Sequence, residues 1–269
     1  MLKRIITGLL GAIVVIVLLI TGRGWLTLGV TVVSVIAMWE FYRAIGLTTK
    51  NTPLCALGII GSCLIIGVHL VNPRFFMLIA FLYVVSLLVT MLLSHKYVTL
   101  SDVALIIVGN IYISYLMLHI VLVREMDLGS FLVWLIFIGA FMTDTFAYFI
   151  GISLGKRKLC PDISPKKTIA GAVGGLIGCG LCFVLYGIIL QHFQPELGFS
   201  VPLMFILGLL CSVAAQIGDL VASVIKRQYE IKDFGKLLPG HGGALDRFDS
   251  ILFVAPVVYL FLYHVGVSL

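Results

Sequence analysis

Residues 201–224 read VPLMFILGLLCSVAAQIGDLVASV, an apolar run in which Asp219 is the single charged residue. A helix of about 20 apolar residues is long enough to cross the hydrocarbon core of a bilayer. The whole chain of 269 residues has this character, since 61% of its residues are hydrophobic and 11% are charged. Soluble domains carry roughly 25% charged residues. The composition therefore predicts a polytopic membrane protein and excludes both a compact soluble fold and intrinsic disorder.

Similar apolar windows recur along the chain and predict an all-α fold with about nine membrane-spanning helices. The windows cover residues 5–22, 25–42, 53–71, 75–93, 103–123, 130–151, 172–191, 201–224 and 251–268. No small-x-small cleavage site follows the first window, so we interpret it as an uncleaved span rather than a signal peptide. We expect an N-terminal region of about five helices over residues 1–130, and a C-terminal region over residues 131–269 that carries the chemistry.

The Lys and Arg residues are distributed unevenly over the connections between these windows. Of the 18 Lys and Arg residues, all but Arg23, Arg74 and Arg124 fall on one side, with the N-terminus and the connections after the even-numbered spans. The positive-inside rule then predicts a cytoplasmic N-terminus and an outside C-terminus. The two long polar connections, 155–171 and 226–249, lie on the cytoplasmic side. The net charge of +6 reflects this bias, and it gives no support to nucleic-acid binding.

Polar side chains stand inside two of the predicted spans, where they are costly and usually face a protein or water-filled interior. Asp144 lies in the sixth span, with Tyr148 one turn later on the same face. The eighth span carries a polar stripe at spacings of three and four residues, formed by Ser212, Gln216, Asp219, Ser223 and Lys226. This spacing is one helical face and predicts a polar cavity that opens to the cytoplasm. The alternatives are an Asp144 satisfied by neighbouring hydroxyls and a stripe that is a packing seam.

Other isolated polar residues have simpler interpretations. Glu40 lies near the cytoplasmic end of the second span and is expected to reach the membrane interface. His69 and His119 are interpreted as packing residues. Cys179 and Cys182 form a C-x-x-C within a Gly-rich apolar run, which favours close helix packing over a redox or zinc site.

The connection after the eighth span combines cations, glycines and carboxylates. Its cations can bind phosphates, and its Gly-His-Gly-Gly run allows close approach to a ligand. Asp246 and Asp249 share one face if the ninth helix begins there. Hard carboxylates facing such cations predict a magnesium–phosphate site. A second cluster, Ser164 to Thr168, suits a phosphate as well, although it could be an ordinary positive-inside anchor.

The stretch from Ser223 to Asp249 resembles the signature of phosphatidate cytidylyltransferases. That signature is S-x-[apolar]-K-R-x4-K-D-x-[small]-x2-[apolar]-P-x-H-G-G-x2-D-R-x-D, and every specified position is matched. The Asp144 segment, the Ser-Pro-Lys-Lys-Thr loop and the nine-span layout also look like this family. One departure is Ala170, where the family often has Glu, so no carboxylate role is assigned there.

The resemblance implies a nucleotidyltransferase that joins CTP and phosphatidate to give CDP-diacylglycerol and pyrophosphate, in the cytoplasmic membrane of a bacterial-type cell. It implies Mg²⁺, either as two divalent ions or as one with a monovalent cation, held by Asp144, Asp219, Asp246 and Asp249. The catalytic residues it implies are Asp144, Lys167, Asp219, Lys226, Asp246 and Arg247. The residues it implies for the phosphates of CTP and of the lipid are Ser164, Lys166, Lys167, Thr168, Lys226, Arg227, Lys236, His241, Gly242 and Gly243.

Several alternatives stay open at this point. A relative could act on another lipid, as an isoprenoid-glycerol phosphate cytidylyltransferase or a polyprenol kinase. A transporter would be expected to show internal repeats and midplane charges, which this sequence lacks. A scaffold would not explain Asp144 or Asp219. The Gly-rich seventh span could serve either a homodimer or internal packing.

Overall fold

The computed structural model describes residues 2–195, 200–237 and 242–265, and nearly all of this length is helical. The helices in chain order are α1 (Leu2–Thr21), α2 (Arg23–Ala44), α3 (Leu47–Lys50), α4 (Thr52–Val71), α5 (Phe76–Leu93), α6 (Leu100–Gly109), α7 (Leu116–Glu125), α8 (Gly129–Leu132), α9 (Trp134–Leu154), α10 (Ile169–Phe193), α11 (Val201–Gln228) and α12 (Leu245–Val265). A 3₁₀ turn, Pro73–Phe75, precedes α5, and a π-helical segment, Asn110–Tyr115, joins α6 to α7. The prediction of an all-α polytopic protein is confirmed.

Seven helical segments among the described residues are long and apolar enough to cross a membrane: Arg23–Ala44, Phe76–Leu93, Leu100–Glu125, Gly129–Leu154, Ile169–Phe193, Val201–Gln228 and Leu245–Val265. Shorter apolar helical stretches, Gly11–Thr21 and Thr52–Val68, lie in the first and third predicted windows. Each of the nine windows thus contains a helix, although residues 266–268 of the last one lie outside the described residues. The number of helices that span the bilayer stays a prediction.

The local sequence explains several of the helix boundaries. Gly22, at a φ of 104°, separates α1 from α2 in a backbone conformation that favours glycine. The Asn51 side chain accepts a hydrogen bond from the Leu54 N–H and caps α4. At the start of α6, Thr99 and Asp102 form a capping box, and the Lys50 ammonium lies 2.7 Å from the Asp102 carboxylate.

The connection after α9 forms an antiparallel β-hairpin. An all-α fold does not predict strands here. Strand β1 (Lys158–Cys160) pairs with β2 (Ser164–Thr168), with Lys158 opposite Thr168 and Cys160 opposite Ser164. Pro161 and Asp162 provide the turn, for which both residue types are suited. Strands this short carry no apolar alternation, so hydropathy alone does not detect them.

Two predicted spans begin or end at different residues in the structure. α11 continues to Gln228, so Lys226 and Arg227 lie in its last turn, where cations interact favourably with the helix dipole. α12 begins at Leu245, which places Asp246 and Asp249 in its first turns, the end that favours carboxylates. The apolar windows missed these turns because charged residues lower their hydropathy.

The chain divides into two compact units. Unit 1 comprises Met1–Val121 and Tyr229–Arg247, and unit 2 comprises Leu122–Gln228 and Phe248–Leu269. In unit 1, α2 packs against α4 and the π-helical segment. Ser34 of α2 is fully buried there, and its hydroxyl lies 3.0 Å from the Ser62 hydroxyl and 3.1 Å from the Ser114 hydroxyl.

Helices α9, α10 and α11 pack against one another in unit 2. The α10 glycines at small-residue spacing all meet α9: Gly171, Gly174, Gly175 and Gly178. A Cβ atom at Gly171 would lie 2.6 Å from the Ala147 carbonyl oxygen, and one at Gly175 would lie 3.0 Å from the Thr143 carbonyl oxygen. These glycines are therefore used for internal packing, which is the second of the two interpretations of the seventh span.

The isolated histidine and cysteine residues fit their packing interpretations. The His119 side chain is buried, and its Nδ1 lies 2.9 Å from the Tyr115 carbonyl oxygen, one turn earlier. Cys179 is buried, and neither it nor Cys182 is in a disulfide. The His69 side chain lies outside the described residues.

Candidate active site

A cavity of about 480 Å³ lies within unit 2, between α9, the hairpin, the start of α10 and the middle of α11. Six of its lining residues were singled out from the sequence: Asp144, Tyr148, Lys166, Lys167, Thr168 and Gln216. The cavity therefore brings together an intramembrane acid of the sixth span, the Ser-Pro-Lys-Lys-Thr loop and one residue of the polar stripe of the eighth span, Gln216.

Asp144 is exposed in the cavity rather than buried among hydroxyls. The neighbouring Thr143 hydroxyl is buried and donates to the Gly139 carbonyl within α9, at 2.6 Å. Tyr148 follows Asp144 by one turn on the same cavity wall. This arrangement favours a ligand-facing role for Asp144 over the alternative of a buried, hydroxyl-satisfied residue.

The hairpin contributes three lysines to the lining of the cavity, Lys158, Lys166 and Lys167. Lys167 forms an ion pair with Asp219 of α11. The two side chains keep 26% and 28% of their surface accessible, so the pair is within reach of a ligand. The loop thus brings the Lys167 cation to a carboxylate, a more specific placement than a positive-inside anchor requires.

Thr168 fixes the beginning of α10 at the edge of the cavity. Its hydroxyl accepts a hydrogen bond from the Gly171 N–H at 3.1 Å, an N-cap contact. Gly151 of α9 and Gly155, directly after α9, lie close to the same hydroxyl. A Cβ atom at either position would make a tight contact with it. Since Gly171 and Ala172 line the cavity, the N-terminal end of α10 faces it. Helix N-termini favour anions such as phosphate.

The polar stripe of α11 has two parts with different contacts. The Gln216 side-chain amide donates to the Ala172 carbonyl of α10 at 3.2 Å and to the Ser212 hydroxyl at 3.3 Å. Ser212 is fully buried, so this end is the packing seam that the sequence left open. Asp219, one turn further, instead pairs with Lys167.

Asp249 is the third predicted site carboxylate in unit 2, after Asp144 and Asp219. It is 8% exposed, and its Oδ1 accepts a hydrogen bond from the Ser250 N–H at 2.8 Å. It lies within electrostatic range of Asp219, Lys226 and Asp144. Gly218 allows this approach, since a Cβ atom there would lie 2.5 Å from the Asp249 carbonyl oxygen.

Two other predicted phosphate-binding residues lie beside the hairpin. Arg227, at the end of α11, donates from Nε to the Ile163 carbonyl oxygen at 3.3 Å. Ser164 begins β2 and is half-buried, but it is not on the cavity wall. These contacts give both residues a place in the hairpin, and their phosphate roles stay predictions.

The remaining predicted site residues belong to unit 1. The Asp246 carboxylate accepts hydrogen bonds through Oδ2 from the Phe234 N–H at 2.8 Å and the Gly243 N–H at 3.0 Å. The Asp246 carboxylate therefore links signature residues on both sides of 238–241, which lie outside the described residues. Lys236 and Arg247 are exposed, Gly242 adopts a φ of 86°, and His241 lies outside the described residues.

The chain is similar to known proteins over almost its whole length. The profile of the cytidylyltransferase family matches residues 2–265. The chain belongs to the cytidylyltransferase family. It is 37% identical over 271 residues to the phosphatidate cytidylyltransferase of Bacillus subtilis, covering 97% of each chain. It is 36% identical over 180 residues to that of Rickettsia bellii, covering 66% of this chain and 78% of that one.

The magnesium ion that this family resemblance implies can be tested against the residues present. Asp144, Asp219 and Asp249 supply the hard oxygen donors that Mg²⁺ prefers, and Asp249 lies within electrostatic range of the other two. Among the described residues, however, no three His, Cys, Asp or Glu side chains are arranged around a common metal position. The cation beside Asp219 in this structure is the Lys167 ammonium. The donor chemistry fits, and the metal assignment stays a prediction.

Sequence reasoning missed two lining residues of the cavity and misinterpreted Glu40. Lys158 and Leu159 line the cavity because β1 pairs with β2, and the Pro-Asp turn signal at residues 161 and 162 could have indicated that pairing. The interface interpretation of Glu40 is wrong, since this side chain is 4% exposed and accepts a hydrogen bond from the Leu245 N–H at 3.0 Å. No local signal reveals a partner so distant in sequence.

Proposed function

We propose that this chain is a phosphatidate cytidylyltransferase, which transfers CMP from CTP to phosphatidate in phospholipid biosynthesis. The observation that carries the proposal is the cavity of unit 2, where Lys158, Lys166 and Lys167 share a wall with Asp144. Two polyanions must meet in this reaction, so clustered cations are its first requirement. The complete signature from Ser223 to Asp249 and the whole-length similarity to the Bacillus subtilis enzyme support the same conclusion.

The reaction needs no strong general base. A phosphate monoester loses its second proton at a pH of about 6, so the lipid phosphate is already a nucleophile at neutral pH. One of its oxygens attacks the α-phosphorus of CTP, and the bond from that phosphorus to the bridging oxygen breaks. Pyrophosphate leaves with the electron pair. The protein's part is to orient the two phosphates in line and to stabilise the charge on the leaving group.

The cavity lysines and the start of α10 suit these two tasks. The ammonium groups of Lys166 and Lys167 neutralise phosphate oxygens, and the positive end of the α10 dipole favours anions. Asp144, Asp219 and Asp249 are the residues proposed to hold Mg²⁺, with Asp246 as a further predicted ligand. When bound, Mg²⁺ neutralises triphosphate charge. Lys226 and Arg247 are proposed to contact phosphates as well.

The same cavity has apolar lining residues that suit a lipid. Ala147, Ile152, Leu159 and Tyr148 are among them, and Ile152 is 68% exposed. In a membrane-spanning helix such an exposed apolar face meets lipid chains. We propose that the acyl chains of phosphatidate stay beside these residues, while CTP binds at the lysines.

We also propose the membrane and the orientation in which the chain is inserted. The charge bias predicts a cytoplasmic membrane protein with its N-terminus inside and its C-terminus outside, so that CTP reaches the cavity from the cytoplasm. A homodimer is a further prediction, and light scattering of the detergent-solubilised protein would test it.

The direct test is pyrophosphate release by the purified, detergent-solubilised protein with CTP, phosphatidate and Mg²⁺, each omitted in turn. Release that needs all three, with CDP-diacylglycerol as the lipid product, is expected. Turnover with an isoprenoid-glycerol phosphate but not with phosphatidate would overturn the substrate. Phosphorylation of a polyprenol with nucleotide diphosphate as product, and no pyrophosphate, would overturn the reaction.

A further inference from the structure

Glu40 is a buried carboxylate that the reaction itself does not use. It lies in α2 and keeps 4% of its surface accessible. Burying a carboxylate is unfavourable unless hydrogen bonds compensate for its lost hydration. Glu40 Oε2 receives one such bond from the Leu245 N–H at 3.0 Å, at the first residue of α12. The residues 40 and 245 belong to the same compact unit.

Two glycines of the signature segment pack against the same carboxylate. Cβ atoms built at Gly235 and Gly243 would both collide with Glu40, the former with Oε1 and the latter with Oε2. Neither glycine has a positive φ, so backbone conformation alone does not explain a glycine at these positions. The close approach of the Glu40 carboxylate does explain it.

Arg43 makes a second contact from the same helix, one turn after Glu40. Its Nη2 donates to the Phe234 carbonyl oxygen at 3.4 Å. The Phe234 N–H in turn donates to Asp246 Oδ2, and the Phe234 ring is 2% exposed. α2 therefore contacts the signature on both sides of residues 238–241, at Phe234 and at Leu245.

We propose that Glu40 is a positioning residue that orders the two described parts of the signature beside it, residues 234–237 and 242–247, for substrate binding. It acts through Leu245, Gly235 and Gly243, so that Lys236, Gly243 and Asp246 are held in one arrangement before the substrate arrives. Preorganised binding groups lose less entropy when the ligand binds. The proposal rests on the proposed function for its kinetic consequence, but the order of the segment can be measured without any substrate.

Limited trypsin digestion measures that order directly, because Lys232 and Lys236 are exposed cleavage sites in and beside the segment. The full-length Glu40→Ala protein leaves the buried Leu245 N–H without its acceptor, which predicts cleavage there about 10-fold faster than in the unchanged protein. Glu40→Gln keeps an acceptor oxygen and is expected to restore most of the protection. Ser34→Ala is the matched control, since Ser34 is buried and hydrogen-bonded in the same helix but does not contact the segment.

Kinetics separate a positioning role from general destabilisation. Glu40→Ala is expected to raise the KM for CTP or lower kcat by about 10-fold, whereas Ser34→Ala lowers the thermal midpoint with little change in either constant. Unchanged cleavage and kinetics in Glu40→Ala would overturn the proposal, as would equal effects of the two alanine variants. If the unchanged protein shows no cytidylyltransferase activity, the proposed function fails, while the trypsin comparison still decides the role of Glu40.

Discussion

At the scale of single residues, the ion pair between Lys167 and Asp219 joins a lysine that lines the cavity to a carboxylate of α11. Asp219→Asn removes the negative charge and keeps the shape of the side chain. We expect activity to fall at least about 100-fold, a loss typical of removing one charge-stabilising group from an active site. Pyrophosphate release at saturating CTP and phosphatidate measures this, and the thermal midpoint in detergent reports whether the variant folds.

Asp162→Asn is the matched control for this change. Asp162 is an exposed carboxylate in the turn of the hairpin, in the same unit, and Lys167 pairs with Asp219 rather than with it. We expect its activity to match that of the unchanged protein. Near-normal activity of Asp219→Asn would remove Asp219 from the catalytic residues, and an equal loss in both variants would indicate a nonspecific effect of charge.

At the scale of elements, the contact between α9 and α10 depends on glycines. Gly171→Ala places a methyl group 2.6 Å from the Ala147 carbonyl oxygen and 3.0 Å from the Thr168 hydroxyl. Overpacking of this kind costs about 1–3 kcal/mol. We expect a lower thermal midpoint and reduced activity, because the beginning of α10 shifts against the cavity.

Gly67→Ala provides the comparison, since a Cβ atom at Gly67 of α4 meets nothing within 4 Å. Alanine favours the helix over glycine by about 1 kcal/mol. Its thermal midpoint is expected to be unchanged or slightly higher. Equal midpoints for the two glycine variants would show that the close approach of α10 to α9 is not limiting for stability.

The elements also show what the sequence could predict. Apolar windows predicted the positions of all the long helices, because a membrane span needs a continuous apolar run whatever its neighbours are. The strands β1 and β2 were missed because strands of 3 and 5 residues are too short to carry a periodic signal. Asp144, Lys167 and Asp219 were predicted from charges in or beside apolar spans. Glu40 was misinterpreted because its hydrogen-bond partner is 205 residues further along the chain.

At the scale of the whole molecule, the charge bias predicts which connections face the cytoplasm. Arg74 and Lys96 are exposed in consecutive connections of unit 1 and are predicted to lie on opposite sides of the membrane. In a variant without native cysteines, Arg74→Cys should react with a membrane-impermeant maleimide in intact cells. Lys96→Cys should react only after permeabilisation.

The reverse labelling pattern would invert the proposed orientation and would place CTP on the wrong side for the cavity. Labelling of both cysteines in intact cells would contradict a span between them, at α5. Either result would leave the proposed reaction untouched, because pyrophosphate release in detergent does not depend on orientation in the membrane.

The pairing of Lys167 with Asp219 has a further consequence for what the resting enzyme attracts. A free anion must displace Asp219 to reach the lysine, and a free cation must displace Lys167 to reach the aspartate, so each alone competes with an internal partner. A nucleotide that arrives with its own cation offers a replacement to both residues at once. The ion pair therefore favours a nucleotide with its bound cation over a free anion or a free cation.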